Sequence, residues 1–183
     1  GEMGPLINQA AFDRVKGYID AGEEAGAEVV VDGRDFTAPQ GYEGGYFMGG
    51  TLFDKVKTDM SIYTDEIFGP VLSVVRAQSY EEARDLATNH AYGNGVALFT
   101  QNGGLARDFA ENVEVGMLGI NVPIPVPTAW HSFGGWKASI FGDLPMYGKD
   151  GILFWTRQKN VLARYPDADT VMGQFNFARS SDV

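Results

Sequence analysis

The residues best suited to chemistry lie in one stretch, Tyr63-Thr64-Asp65-Glu66-Ile67-Phe68-Gly69-Pro70-Val71. Two acids precede an apolar pair, and Gly-Pro then feeds the β-rich run Val71-Leu72-Ser73-Val74-Val75. A carboxylate has two oxygens, and each can accept from one hydroxyl of a vicinal diol such as that of a ribose. Phe68 adds an apolar face on which a flat ring or a sugar can rest. Gly69-Pro70 fixes the turn so that these side chains hold their places. By residue type alone a second reading stays open, with Glu66 as a solvated turn acid and Phe68 as part of the core.

The rest of the composition limits what chemistry is available. With 183 residues, 44% of them hydrophobic and 13% aromatic, the chain can bury a sizeable single-domain core. It contains no cysteine. Disulfides, thiolate metal sites and a cysteine nucleophile are therefore excluded within this sequence, and no catalytic residue is assigned. His90 and His131 lie far apart without local ligand spacing, so no metal site is expected. A formal charge of −10 disfavours nucleic acid as a partner, because phosphate contacts need clustered Lys and Arg. No apolar run approaches the ~20 residues of a membrane helix, and Gly1-Glu2-Met3-Gly4-Pro5 lacks a signal-peptide pattern. The expectation is a cytoplasmic chain (mitochondrial matrix in a eukaryote) with no membrane partner.

The elements that must position this stretch follow from periodicity and turn chemistry. Asn8 is a candidate N-cap for a helix carrying Phe12, Val15, Tyr18 and Ile19, with Gly22 and Gly26 as its fraying end. Glu28-Val29-Val30-Val31 reads as a strand closed by Asp32-Gly33. Gly49-Gly50, within an extended segment, implies a bulge or a close backbone approach. Val71 to Arg76 is a strand, and Ser79 with Glu82 forms a capping box for the next helix. Two more strands, Val96–Phe99 and Val115–Val122, flank a helix that begins near Gly103. Strand and helix in alternation with short links predict an α/β fold whose parallel sheet is flanked by helices. Ligands in such sheets bind beyond the carboxyl ends of the strands. The third strand ends there in the stiff loop Asn121-Val122-Pro123-Ile124-Pro125-Val126-Pro127. A glycine-rich aromatic loop around Phe133 follows. Residues Ile152 to Tyr165 read as extended, with an edge that would need cover, and 166–183 as a loose tail.

Several motifs carry a resemblance. Glu66-Ile67-Phe68-Gly69-Pro70 resembles the E-I-F-G-P motif of the NAD(P)-dependent aldehyde dehydrogenases. Gly4-Pro5-Leu6-Ile7, Tyr92-Gly93, Phe133-Gly134-Gly135-Trp136-Lys137-Ala138-Ser139 and Trp155-Thr156-Arg157-Gln158-Lys159 resemble other motifs of the same family, in the family's order. Asn94, the run Gly119 to Pro127 and Gly142-Asp143 depart from the common pattern in ways that resemble its methylmalonate-semialdehyde dehydrogenase branch.

The resemblance implies that Glu66 holds the nicotinamide ribose of NAD and that Phe68 packs beside the nicotinamide end. It also implies weaker substrate contacts from Pro123, Ile124 and Phe133, a small aldehyde as substrate, and CoA as acyl acceptor. Residues 1–150 would be the C-terminal part of the catalytic domain. Residues 151–165 would be an oligomerisation strand of a homo-oligomer, dimer or tetramer, and 166–183 a tail. Family chemistry needs a thiolate to attack the aldehyde carbon, and this sequence has none. The chain is therefore expected to be a C-terminal portion, inactive alone. A non-catalytic oligomerisation or interaction module of the same fold is the alternative.

Overall fold

The computed structural model describes residues 3–165. Asn8 caps α1 (Gln9–Glu24), its side-chain oxygen accepting from the Ala11 amide at 2.8 Å. Val15 and Ile19 line the inner face of α1 and are fully buried. The two glycines assigned to its fraying end behave differently. Gly22 is a packing position inside the helix, where a Cβ would stand 2.8 Å from Ile62 Cδ1. Only Gly26, at φ +91°, ends the helix.

Strand β1 (Glu28–Val31) pairs antiparallel with β2 (Thr51–Asp54). Between them the backbones of Gly33 and Gly49 touch: Gly49 N donates to Gly33 O at 2.9 Å, and Gly33 N donates to Thr51 Oγ1 at 3.0 Å. A Cβ on Gly33 would stand 2.1 Å from the Gly49 carbonyl oxygen. The close approach expected from the glycine pair is thus present. The one-turn helix α2 (Ser61–Thr64) leads to β3 (Val71–Ser73), which runs parallel to β2 with Thr51 opposite Val71 and Phe53 opposite Ser73.

The capping box opens α3 (Tyr80–Asn89): Ser79 Oγ accepts from Glu82 N at 3.2 Å. The Glu82 carboxylate reaches back one residue further than the usual box, to Gln78 N at 2.6 Å. Then come β4 (Tyr92–Gly93), β5 (Gly95–Leu98), α4 (Gly103–Asn112) capped by Asn102, and β6 (Met117–Ile120). Strands β5 and β6 are parallel, as the intervening helix requires. Strand β7 (Trp136–Lys137) pairs antiparallel with β4, and α5 (Gly148–Trp155) closes the described elements.

Two expectations need correction. Among the described residues β3 and β5 do not pair, so the strands form separate sheets, β1-β2-β3, β4-β7 and β5-β6. Strand β3 gives its hydrogen bonds to β2, Val74 N donating to Phe53 O, and leaves the ladder before Arg76. The Arg76 guanidinium folds back onto Asp54 at 2.5 Å. The extended reading of Ile152 to Tyr165 also fails at its start, because 152–155 belong to α5. Among the described residues no strand pairs with them, and their backbone groups satisfy one another in a helix. The Thr156 hydroxyl closes it on Ile152 O at 2.6 Å. Residues 156–165 have no regular structure and are exposed. The tail, 166–183, lies outside the described residues.

Two apolar clusters hold this frame. The larger joins Val15 and Ile19 of α1 to Phe53 of β2, Ile62 of α2 and Ile67. The smaller joins Phe109, Val113 and Val115 to half-buried residues of α3, β5 and β6. No described helix is long and apolar enough to cross a membrane.

Candidate functional site

The stretch from Ser61 to Pro70 is held from below. Ile67 points into the larger cluster and is buried. Gly69 lies against α1 so closely that a Cβ would meet Val15 Cγ2 at 2.5 Å. Pro70 O accepts from Thr51 N at 2.8 Å, which fixes the loop to the amino end of β2.

The two acids then divide. Asp65 accepts from the Tyr18 hydroxyl at 3.0 Å and from Thr64 Oγ1 at 2.8 Å. The same bond to a carboxylate pushes the Tyr18 phenol above its ordinary pKa, since ionised tyrosine could not donate it. Asp65 is thereby committed to structure. Glu66 is exposed and makes no hydrogen bond or ion pair among the described residues. Of the pair, it is the carboxylate with all its acceptor capacity open.

Phe68 departs from the core reading. It is 76% exposed, and its backbone sits at φ +53°, where L-residues other than Gly and Asn are uncommon. Ile67 faces in and Gly69 is pressed on Val15, so Phe68 can only turn outward. Holding a phenylalanine there costs about 1 kcal/mol and returns little buried area. Phe68→Gly is therefore expected to raise stability by about 1 kcal/mol, read as a shift of the urea midpoint at constant slope. A lower midpoint would mean that the ring packs after all.

The other proposed contacts lie elsewhere. Pro123 and Ile124 are exposed beyond the carboxyl end of β6. The loop leaves that strand through Asn121, at φ +56°, whose side-chain amide brackets the main chain of Thr100. Phe133 is half-buried and stacks on Tyr147 with centroids 4.6 Å apart and planes 6° apart. The carboxyl-end rule therefore describes the proline loop but not Glu66, which precedes β3 at the amino end of the β2–β3 pair. The structure shows no contact that brings Glu66 and Phe68 together with Pro123, Ile124 or Phe133.

Two open clefts flank α3. One, about 690 Å³, is lined by Thr58, Tyr63, Asp85, Leu86 and His90. The other, about 480 Å³, is lined by Val75, Ala83, Ala87, Gly93 and Val115, and it shares Tyr63, Leu86 and His90 with the first. Neither is lined by Glu66, Phe68, Pro123, Ile124 or Phe133. His90 and Lys137, which tie these parts together, were not foreseen. The positive φ of Lys137 (+55°) and its bonds to the Thr88 and His90 carbonyls leave no sequence signal. No cluster of metal-ligating side chains occurs among the described residues.

Comparison with known proteins agrees with this architecture. The sequence profile described as the aldehyde dehydrogenase family matches residues 1–161. A malonate-semialdehyde dehydrogenase of Pseudomonas aeruginosa is 55% identical over 96% of this chain and 35% of its own length. A protein of Sinorhizobium meliloti, crystallised with NAD under the name methylmalonate-semialdehyde dehydrogenase, is 59% identical. It superposes with a TM-score of 0.87 over 91% of this chain and 34% of its own. The methylmalonate-semialdehyde dehydrogenase of Oceanimonas doudoroffii is 51% identical, with a TM-score of 0.85 over 90% of this chain and 34% of its own. The chain thus spans about a third of the length of the curated relatives it matches. On this match, and on the mixed α/β fold it shares with them, the chain belongs to the aldehyde dehydrogenase family.

Proposed function

We propose that this chain forms part of an NAD-dependent, CoA-acylating dehydrogenase of malonate or methylmalonate semialdehyde, corresponding to the region after the nucleophile. Residues 1–150 would belong to the catalytic domain and 151–165 to a segment that docks on another subunit. The observation that carries the reading is the exposed Glu66 carboxylate, unpartnered among the described residues, two positions before the outward Phe68 ring on a loop whose alternate residues are locked. Asp65 has less to offer, because each of its oxygens already accepts a hydrogen bond, from Tyr18 and from Thr64.

Glu66 would accept from both hydroxyls of the nicotinamide ribose, and Phe68 would bear on the nicotinamide end. When bound, NAD takes the hydride from the substrate. Pro123, Ile124 and Phe133 would form part of the substrate wall, with Phe133 oriented by Tyr147. No cysteine is present, so this chain alone supplies no thiolate to attack the aldehyde carbon. CoA would take the acyl group as CO2 leaves.

The test is Glu66→Gln in a dehydrogenase of the relatives' length that carries this chain. Loss of the charge-assisted bonds is expected to remove about 1.5–3 kcal/mol, or roughly ten- to a hundredfold in hydride transfer. Single-turnover NADH formation reads it. An unchanged rate with unchanged NAD affinity would refute the assignment. The chain by itself is expected to form no NADH from semialdehyde.

A further inference from the structure

His90 sits at the carboxyl end of α3 and is shared by both clefts. Its ring makes two contacts with main-chain groups. Nδ1 lies 3.1 Å from Tyr92 N, and Nε2 lies 3.0 Å from Tyr63 O. A peptide N–H can only donate and a peptide carbonyl can only accept. The pair of contacts therefore admits one neutral form, with the proton on Nε2. Tyr63 packs edge-on against the ring, centroids 5.0 Å apart.

Each contact leads to a different part of the proposed site. Tyr63 belongs to α2, and the Ser61 carbonyl of that turn accepts from Asp65 N at 3.0 Å, directly before Glu66. Tyr92 belongs to β4, which pairs with β7 just after Phe133. The Lys137 ammonium of β7 also donates to the His90 carbonyl, at 3.3 Å. Ser139 Oγ accepts from Gly93 N at 3.1 Å. One imidazole thus joins the loop of Glu66 and Phe68 to the ribbon that carries Phe133.

We propose that His90, as its Nε2–H tautomer, is a positioning residue that keeps the cofactor loop and the substrate-wall ribbon in register. The functional part of this inference rests on the ribose assignment of Glu66; the linkage itself does not.

The test uses this chain in solution at pH 8, and the exposed His131 serves as internal reference. Long-range 1H–15N spectra are expected to show His90 with a protonated Nε2 and a bare Nδ1. A bare Nε2, or an even mixture of tautomers, overturns the proposal without any variant. Two substitutions then divide the linkage. His90→Gln keeps a donor near the Nε2 position, so the amides of Asp65 to Gly69 should stay near wild type while Tyr92 and Gly93 move. His90→Asn keeps an acceptor near Nδ1, so the pattern should reverse. A residue that merely filled space would give one pattern for both variants, and that result overturns the proposal. In a dehydrogenase of the relatives' length carrying this chain, His90→Asn should raise KM for NAD about tenfold, with His90→Gln near wild type. Silence of Glu66→Gln would sink the ribose reading alone, since the amide patterns require no NAD.

Discussion

Phe53→Ala is expected to lower the stability of this chain by about 3–5 kcal/mol, the largest loss from a single truncation. Phe53 is the largest side chain with no exposed surface, and it stands on the middle strand of β1-β2-β3. It meets α1 from below: its Cζ lies 3.2 Å from where a Gly22 Cβ would be. Truncation leaves a void ringed by Val15, Ile19 and Ile62, whose backbones are held in separate elements and cannot all collapse inward. Small domains are stable by only about 5–15 kcal/mol, so the change threatens the fold itself. The functional consequence follows from the ladder. Strand β2 fixes β3 through the Thr51–Pro70 bond, and that bond anchors the Glu66 loop. Urea denaturation checks the prediction, and a loss under 1.5 kcal/mol would show that this cluster is not the main core.

Gly116→Ala is expected to cost about 3 kcal/mol by a different route. A Cβ at Gly116 would stand 1.9 Å from Gly134 O and 2.8 Å from the carbonyl carbons of Gly134 and Gly135. These are backbone atoms, so no rotamer change relieves the clash. Gly116 cannot retreat easily, because its N–H donates to Gly93 O at 2.9 Å. The segment after Phe133 must move instead, and with it the Phe133–Tyr147 stack. Thermal unfolding and the emission of the neighbouring Trp136 read the two effects. Wild-type stability with unchanged Trp136 emission would show that these backbones are not in contact.

The local elements were legible in the sequence because their signals are local. Asn8, Ser79 and the spacing of Val15 and Ile19 act within one or two turns, and α1 and α3 begin where those residues place them. Strand β1 is likewise where its β-branched run puts it. Pairing between distant strands was less legible. Alternation of strand and helix predicted parallel neighbours, and β5 with β6 obey it. Strand β3 chose β2 instead, a choice set by the core beneath Phe53 and by the Arg76–Asp54 pair. At the site, motif position singled out Glu66 and Phe68, but not that both oxygens of Asp65 are already engaged. That distinction depends on Tyr18, which lies 47 positions away. The strained backbone of Phe68 was hidden for a similar reason. It results from Ile67 and Gly69 both being claimed by α1 and the core, not from Phe68 itself. Helix α5 was misread because an apolar run without clear periodicity fits either state, and surroundings decide.

The contact between Gly33 and Gly49 bears on how this lineage can drift. The two positions are not equivalent: a Cβ at Gly33 would stand 2.1 Å from the Gly49 carbonyl oxygen and has no room, whereas a Cβ at Gly49 would meet Gly33 Cα at 3.1 Å and Phe36 Cβ at 3.2 Å and needs only a small shift. Gly41 and Gly44, eight and eleven positions after Gly33 on the same connection, have open space around a Cβ, although Gly41 keeps the constraint of its φ of +86°. Variation between β1 and β2 should therefore gather at the tip of that connection and vanish at Gly33, leaving a small immobile knot that lengthening or shortening of the tip would never loosen.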